Sequence, residues 1–161
     1  MVPCQLELGG KDPLYVSSDN KDLDKVTEAA LEGAFYNNGQ SCCAVERIYV
    51  HESLYDAFVS LFVEKARGMR VGDPKEKGVF IGPLARREQL QVLEHQVTDA
   101  LDKGATLMLG GKEMERPGYY FEPTVLTDVD HSMEIMKEES FGPIIGIQKV
   151  NDDEEAISLK L

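Results

Sequence analysis

Short runs of β-branched and aromatic residues alternate with stretches of helical periodicity along this chain, and this alternation restricts its fold more than any other feature. Residues 14–16 and 47–50 have the composition of strands. Apolar residues recur on one helical face within residues 23–34 and again within residues 54–62. Strands that alternate with helices at this spacing predict an α/β layer fold with a mostly parallel sheet.

The boundaries of these segments carry signals of their own. Asp22 can accept hydrogen bonds from the free N–H groups of a first helical turn, and we expect it to cap the first helix. Residues 37–39, with the sequence Asn-Asn-Gly, predict the end of that helix. Residues 72–83 are rich in turn-forming residues and predict a surface loop. Further strands are predicted at residues 106–109 and 144–147, and further helices at residues 90–101 and 152–161.

Pro123 interrupts another apolar stretch. Residues 119–121 and 124–126 lie on either side of it and have the composition of strands. Because proline has no N–H to donate to a strand ladder, we expect this stretch to form an edge strand or a broken strand.

The acidic composition excludes several classes of function. The chain has 17 Lys and Arg against 29 Asp and Glu, a formal net charge of −12, and none of its thirds is basic enough to favour nucleic acid. No apolar run approaches the roughly 20 residues that span a bilayer, so we expect no membrane partner. Three cysteines are too few for a disulfide scaffold, and we expect a reducing compartment, the cytoplasm.

The first of three motifs that carry reactive groups comprises residues 6–11, with the sequence Leu-Glu-Leu-Gly-Gly-Lys. It places a glutamate, Glu7, between two leucines. In an apolar wall, burial would raise the pKa of Glu7 and make it a general base near neutral pH. The alternative is a strand residue that faces solvent, as most glutamates do. Gly9 and Gly10 would allow another backbone or a ligand to approach closely.

A thiol that follows a helix break marks the second motif, residues 39–44 with the sequence Gly-Gln-Ser-Cys-Cys-Ala. On a turn, Cys42 can be exposed, and neighbouring backbone N–H groups can stabilise its thiolate and an oxyanion formed by its attack. The alternative is a buried, small apolar residue, and we expect at least one of Cys42 and Cys43 to be structural. We expect no metal site, because the chain has no Cys-x-x-Cys pair and its three histidines have no ligand spacing.

An acidic pair, an aromatic residue and a Gly-Pro turn form the third motif, residues 137–143 with the sequence Lys-Glu-Glu-Ser-Phe-Gly-Pro. Such residues can hold the hydroxyl groups of a ribose and stack on a planar ring. The alternative is a charged helix end followed by a core phenylalanine, and composition alone favours it. The functional interpretation gains support when this motif is considered together with the other two.

The order and spacing of the three motifs resemble those of the aldehyde dehydrogenase superfamily. Cys42 follows Glu7 by 35 residues, and Glu139 follows Cys42 by 97 residues. The resemblance covers nearly the whole chain and implies an open, twisted, mostly parallel sheet flanked by helices. It also implies that residues 1–161 are an incomplete catalytic domain, without the N-terminal nucleotide-binding domain and without the C-terminal end of the family fold.

The resemblance implies a role for each group in the first two motifs. Cys42 matches the catalytic cysteine, which attacks an aldehyde carbonyl to form a thiohemiacetal that becomes a thioester after hydride loss. Glu7 matches the general base that activates the water for hydrolysis of the thioester. The backbone N–H groups of Ser41 and Cys42 would line one side of the oxyanion hole, and Cys43 would have no catalytic role.

The hydride acceptor that the resemblance implies is NAD or NADP. Glu139 matches the carboxylate that holds the nicotinamide ribose, and Phe141 matches the aromatic residue that packs near the ring. Leu8 lies where the family places a backbone carbonyl near the nicotinamide amide. The chain has no glycine-rich dinucleotide turn between a strand and a helix, so we expect the isolated chain to bind cofactor weakly or not at all and to be inactive.

The resemblance therefore implies an oxidoreductase that acts on a small-molecule aldehyde, with a parent protein that is a homo-oligomer. Two alternatives stay open. In a CoA-acylating relative, CoA takes the acyl group in place of water, although such relatives typically lack the carboxylate at the position of Glu7. The other alternative is a truncated, non-catalytic module that is retained for assembly.

Overall fold

The computed structural model of the chain describes residues 2–6 and 8–160, and five strands within these residues form one sheet. The strands are β1 (Asp12–Val16), β2 (Val45–His51), β3 (Thr106–Leu109), β4 (Thr124–Thr127) and β5 (Ile144–Val150). Their order is β1-β2-β5-β4-β3, and every neighbouring pair is parallel except β3–β4. The prediction of an α/β fold with a mostly parallel sheet is therefore confirmed.

Four α-helices accompany the sheet within the described residues: α1 (Leu23–Phe35), α2 (Glu52–Arg67), α3 (Glu88–Asp102) and α4 (Asp153–Lys160). The carboxylate of Asp22 accepts a hydrogen bond from the N–H of Lys25 at 3.1 Å, which confirms the predicted cap of α1. α1 is followed by a 3₁₀ turn, Tyr36–Gly39, in which Asn37 and Asn38 have positive φ angles of 50° and 63°. The left-handed backbone of these two residues is the predicted helix break.

The stretch around Pro123 differs in part from its prediction. β4 lies between β5 and β3 and all four of its residues are buried, so it is an interior strand and the predicted edge position is wrong. The predicted break is confirmed, because Phe121 lies outside the five strands and pairs with Glu113 in an isolated bridge. An interior position is possible because Pro123 directly precedes the first residue of β4 and so stands outside its ladder.

Alternate strand residues pack into two apolar clusters on opposite faces of the sheet. One cluster contains Ile48 of β2 and packs against α1 and α2 through the fully buried Phe35 and Phe58. The other cluster contains Tyr49 of β2 and packs against α3 through Leu93. Helices therefore flank the sheet on both faces, as expected from the resemblance.

The topology brings the three motifs to one edge of the sheet. Residues 9–11 directly precede β1, residues 39–44 precede β2, and residues 137–143 precede β5. These three strands are parallel and adjacent, in the order β1-β2-β5. Their amino ends therefore lie side by side, and so do the motifs.

Candidate active site

The first and third motifs meet at the paired glycines. The backbone N–H of Gly10 donates to Oε1 of Glu139 at 3.1 Å. A Cβ atom on Gly9 would lie 2.4 Å from the other oxygen of the same carboxylate, and the φ angle of Gly9 is +79°, which favours glycine. The Gly10 N–H thus holds the Glu139 side chain in place, and the expected close approach of another backbone is found at Gly10, against Cys42.

The first motif also lies against the second. A Cβ atom on Gly10 would lie 2.4 Å from the carbonyl oxygen of Cys42, so only a glycine allows this backbone contact. The second motif is held in turn by the segment before α3, because Oε1 of Gln40 accepts a hydrogen bond from the N–H of Ala85 at 2.8 Å. The three motifs thus form one continuous surface.

An open cleft of about 650 Å³ lies on this surface, within the volume range of about 300–1,000 Å³ that is typical of small-molecule sites. All three motifs line it, through Gly9, Gln40, Ser41, Cys42, Glu139 and Phe141. The segment around the start of α3 completes the lining with Arg86, Gln89 and Val92. Among these residues the ionisable groups are the thiol of Cys42, the guanidinium of Arg86 and the carboxylate of Glu139.

Cys42 is exposed on a turn and lines this cleft, so the alternative of a buried, small apolar residue does not hold for it. Cys43 is exposed as well, so the expectation that at least one of the two thiols is structural is wrong. The Cys43 sulfur lies 3.2 Å from the hydroxyl of Ser41 and lines a different, smaller pocket. Within the described part of the chain, neither the Ser41 nor the Cys42 backbone N–H donates to a protein acceptor.

Glu139 and Phe141 are half-buried, and the structure brings both to the cleft of Cys42. Phe141 has a φ angle of +48°, a left-handed conformation that costs about 1–3 kcal/mol for a residue other than glycine. Its surroundings must therefore hold it there. Leu8 is 86% exposed, and the role implied for its backbone carbonyl stays a prediction. Glu7 lies outside the described residues.

A buried ion pair behind the cleft was not predicted. Nζ of Lys11 lies 2.8 Å from Oε2 of Glu46, whose side chain is only 4% exposed. Burial lowers the pKa of Lys11 below its ordinary value, and the charge of Glu46 opposes this change. Removing one partner would leave an unpaired buried charge, at a cost of about 3–5 kcal/mol. The available sequence signal was Glu46 itself, a carboxylate at the start of a largely apolar strand.

Two glutamines of α3 hold the third motif from the other side, and they were not predicted either. Nε2 of Gln89 donates to the carbonyl of Ser140 at 2.6 Å, and Nε2 of Gln96 donates to the carbonyl of Glu139 at 3.2 Å. The Ser140 hydroxyl donates to Oε1 of Gln96 at 2.7 Å. Both glutamines are buried and lie seven residues apart on the apolar face of α3, and that spacing is the signal that could have identified them.

The described residues, 2–6 and 8–160, contain neither a metal-ligand cluster nor a membrane-spanning helix. Among them, no group of three or more His, Cys, Asp or Glu side chains could hold a metal ion. None of the helices in this part of the chain has both the length and the apolar character needed to cross a membrane.

Comparison with known proteins agrees with the motifs. The sequence model described as "Aldehyde dehydrogenase family" matches residues 1–160. The chain is 42% identical over 157 residues to the NADP(+) succinate-semialdehyde dehydrogenase of Mycolicibacterium paratuberculosis, covering 98% of this chain and 33% of that protein. It is also 42% identical over 159 residues to the peroxisomal aminoaldehyde dehydrogenase 1 of Pisum sativum, covering 98% of this chain and 31% of that protein.

A solved structure shows the same fold. The chain superposes on succinate-semialdehyde dehydrogenase from Burkholderia pseudomallei with a TM-score of 0.91 and 41% identity, covering 96% of this chain and 32% of that chain. The fold and the three motifs therefore define a member of an oxidoreductase family with an α/β catalytic fold. The chain belongs to the aldehyde dehydrogenase family. It spans about a third of the length of the curated relatives it matches.

Proposed function

We propose that residues 1–161 are the catalytic segment of a longer NAD(P)-dependent aldehyde dehydrogenase, which oxidises a small aldehyde to a carboxylic acid. The observation that carries the proposal is the single cleft lined by Cys42, Glu139 and Phe141. A nucleophile, a carboxylate suited to a ribose and an aromatic ring share this volume. The names of the relatives, which include NADP(+) and two kinds of aldehyde, support this class of reaction.

The reaction begins at the Cys42 thiolate, which attacks the carbonyl carbon of the aldehyde. A sulfur–carbon bond forms, and the carbonyl electron pair moves onto the oxygen. The backbone N–H groups of Ser41 and Cys42 have no protein acceptor within the described residues, and they would donate to this oxyanion. The product is a thiohemiacetal attached to Cys42.

The cleft suits the nicotinamide end of NAD or NADP. The Gly10 N–H binds one oxygen of Glu139 and so orients the carboxylate that would hold the ribose hydroxyl groups. The Phe141 ring would pack near the nicotinamide ring, and the Leu8 carbonyl would accept a hydrogen bond from the nicotinamide amide. When bound, the nicotinamide supplies a hydride acceptor. As the oxyanion electron pair re-forms the carbonyl, the thiohemiacetal carbon would release its hydride to that acceptor, which would leave a thioester on Cys42.

Glu7 would act in the second half of the reaction. Its carboxylate takes a proton from a water molecule, whose oxygen attacks the acyl carbon of the thioester. The carbon–sulfur bond breaks, the carboxylic acid leaves, and the Cys42 thiolate is restored. The presence of Glu7 therefore favours water over CoA as the acyl acceptor.

We further propose that the parent enzyme is a cytoplasmic homo-oligomer and that the 161-residue chain alone is inactive. Correct positioning of the reactants supplies a large part of an enzyme's rate acceleration. In the family, the domain that positions the nucleotide lies N-terminal to the segment that these residues match.

The test is an assay of the full-length protein that contains this chain, with a panel of aldehydes and with NAD and NADP in separate reactions. We expect reduced cofactor and a free carboxylic acid from the wild-type protein. Cys42→Ala should abolish turnover, whereas Cys43→Ala, a matched change at the neighbouring thiol, should retain it.

Three results would contradict the proposal. Cofactor reduction that survives in Cys42→Ala would reject the nucleophile. Formation of acyl-CoA without free acid would assign the CoA-acylating reaction. Inactivity of the full-length protein with every aldehyde and both cofactors would favour the assembly module.

A further inference from the structure

Glu46 occupies an irregular position in the sheet. The register of β1 and β2 passes from Asp12 opposite Val45 to Pro13 opposite Arg47, so Glu46 is left out of the pairing between these two strands. An extra residue of this kind bends a strand and redirects a side chain, and such residues are frequent next to active sites. The Glu46 side chain is nevertheless buried, behind the cleft.

The carboxylate of Glu46 accepts three hydrogen bonds from two of the motifs. Oε2 accepts from Nζ of Lys11 at 2.8 Å and from the backbone N–H of Ser140 at 2.9 Å. Oε1 accepts from the backbone N–H of Phe141 at 3.0 Å. Two of the three donors are consecutive backbone groups of the third motif. One side chain on a strand therefore fixes the peptide planes on both sides of Ser140.

The third motif requires such a restraint. The φ angle of Phe141 is +48°, a region that residues with a Cβ atom rarely occupy. If the Phe141 N–H were released, the backbone could relax and carry the ring away from the cleft. The peptide plane before Ser140 also belongs to Glu139, whose carboxylate lines the same cleft. The two bonds to Glu46 thus restrain the N–H groups of these two peptide planes, while Gln96 and Gln89 bind their carbonyl groups from the other side.

We infer that Glu46 is a positioning residue that sets the Glu139 carboxylate and the Phe141 ring at the separation required for a nicotinamide ribose and its ring. This inference rests on the proposed function in its choice of ligand. Glu46 does not line the cleft and acts through residues 139–141. Lys11 pairs with the Glu46 carboxylate at 2.8 Å and compensates its charge in the interior.

The first test is hydrogen exchange in the full-length protein, followed by mass spectrometry of peptides that cover residues 138–143 and 144–150. In Glu46→Gln, the side-chain amide has a single acceptor oxygen, and its NH₂ group faces an N–H donor. We expect exchange in residues 138–143 to accelerate about ten-fold more than exchange in β5, which reports the general loss of stability caused by an unpaired Lys11. Glu28→Gln, the same change at an exposed position of α1, should alter neither peptide.

The second test compares ligand binding with thiol reactivity in the same proteins. We expect Glu46→Gln to raise the Kd of NAD or NADP about ten-fold, while the rate of iodoacetamide labelling at Cys42 stays unchanged. If Glu46→Gln does not fold, Glu46→Asp provides the same test. It retains the charge that pairs with Lys11, but it is one methylene too short to reach both backbone donors.

Two exchange results would overturn the inference. Unchanged exchange in residues 138–143 would mean that this segment is held without Glu46. Equal acceleration in residues 144–150 would mean that Glu46 stabilises the whole sheet instead of the segment. A wild-type protein that binds neither NAD nor NADP would reject the proposed function, and the exchange result would still decide whether Glu46 fixes the segment.

Discussion

The backbone N–H of Gly10 donates to the carboxylate of Glu139 at 3.1 Å, across 129 positions of the sequence. The bond joins the segment before β1 to the segment before β5, and β2 lies between these two strands. It therefore crosses the amino end of β2, where the Cys42 turn lies. Ligands of open α/β sheets usually bind outside the carboxyl ends of the strands, whereas this cleft lies at the opposite edge.

Because of the close contact at Gly9, we expect one added methyl group to lower both the stability of the fold and the affinity for the cofactor. Gly9→Ala would place a Cβ atom 2.4 Å from the Glu139 carboxylate, in a left-handed backbone that costs an alanine about 1–2 kcal/mol. We expect a lower free energy of unfolding in urea and a weaker Kd for NAD or NADP in the full-length protein. Gly78→Ala is the matched control, because Gly78 has a φ angle of +80° and no neighbour within 4 Å.

Equal losses of stability in the Gly9 and Gly78 variants, with unchanged cofactor affinity in both, would contradict this prediction. Backbone strain alone would then account for the effect. The Gly9–Glu139 contact would have no part in shaping the cleft.

We expect removal of the buried Ser140 hydroxyl to lower the free energy of unfolding. Ser140→Ala leaves Oε1 of Gln96 without its donor, at a cost of about 1–3 kcal/mol in the free energy of unfolding. The measurement is urea denaturation of the chain. Ser60→Ala, at an exposed position of α2, should change stability by less than about 0.5 kcal/mol. A Ser140→Ala variant as stable as the Ser60 variant would show that Gln96 finds another partner.

The contact between His131 and Tyr49 predicts a loss of stability in mild acid. Nε2 of His131 lies 2.6 Å from the Tyr49 hydroxyl, and burial, aided by the Arg47 charge, lowers the pKa of His131 below 6.5. The folded state therefore binds fewer protons than the unfolded state just below pH 6.5. The stability that neutral His131 contributes is fully present above pH 6.5. It decreases as the pH falls toward the pKa that His131 has in the folded state.

Urea denaturation at pH 7.5 and pH 5.5 measures this effect for wild type and for His131→Asn. We expect the wild type to lose more stability than the variant between the two pH values. The same loss in both proteins would mean that other groups cause the acid dependence.

Tyr55 predicts a loss of stability at high pH. It is 7% exposed, and its hydroxyl donates to the carbonyl of Ile147 at 3.2 Å. Burial, with a contribution from the charge of Asp128, raises the pKa of Tyr55 from 10.0 to about 12. The folded state therefore binds more protons than the unfolded state in this window, so stability is present below pH 10 and is lost as the pH rises toward 12.

The stability advantage of wild type over Tyr55→Phe should shrink by about 1 kcal/mol between pH 8 and pH 11. Tyr36→Phe is the matched control, since Tyr36 is 63% exposed and its replacement should leave the pH dependence unchanged. An advantage of Tyr55 that stays constant up to pH 11 would contradict the raised pKa.

Local interactions explain why so much of the fold could be predicted. The cap by Asp22, the left-handed turn at Asn37 and Asn38, and the apolar stripes of the helices depend on residues a few positions apart. The position of β4 could not be predicted in this way. Pro123 suggested an edge strand, but strand order depends on how distant segments pack, and β3 covers the side of β4 that would otherwise be free.

The polar contacts behind the cleft also join residues that are distant in the sequence, so local patterns did not predict them. Glu46 and Gln96 each appear in the sequence as one polar residue within an apolar pattern, and their partners at residues 139–141 lie more than 40 positions away. The exposure of Cys43 also depends on the three-dimensional path of the turn. Such pairings are set by long-range packing, which no local pattern records.

By itself, the sequence determined the class of fold, the three motifs and the family, because periodicity, turn residues and ordered motifs are properties of the chain itself. Only the tertiary structure decided that Glu46 and the glutamines of α3 hold the third motif, and that the three motifs face one cleft. The physical reason is the parallel order β1-β2-β5, which places three distant strand beginnings side by side. Buried polar groups at that edge must then find partners among one another.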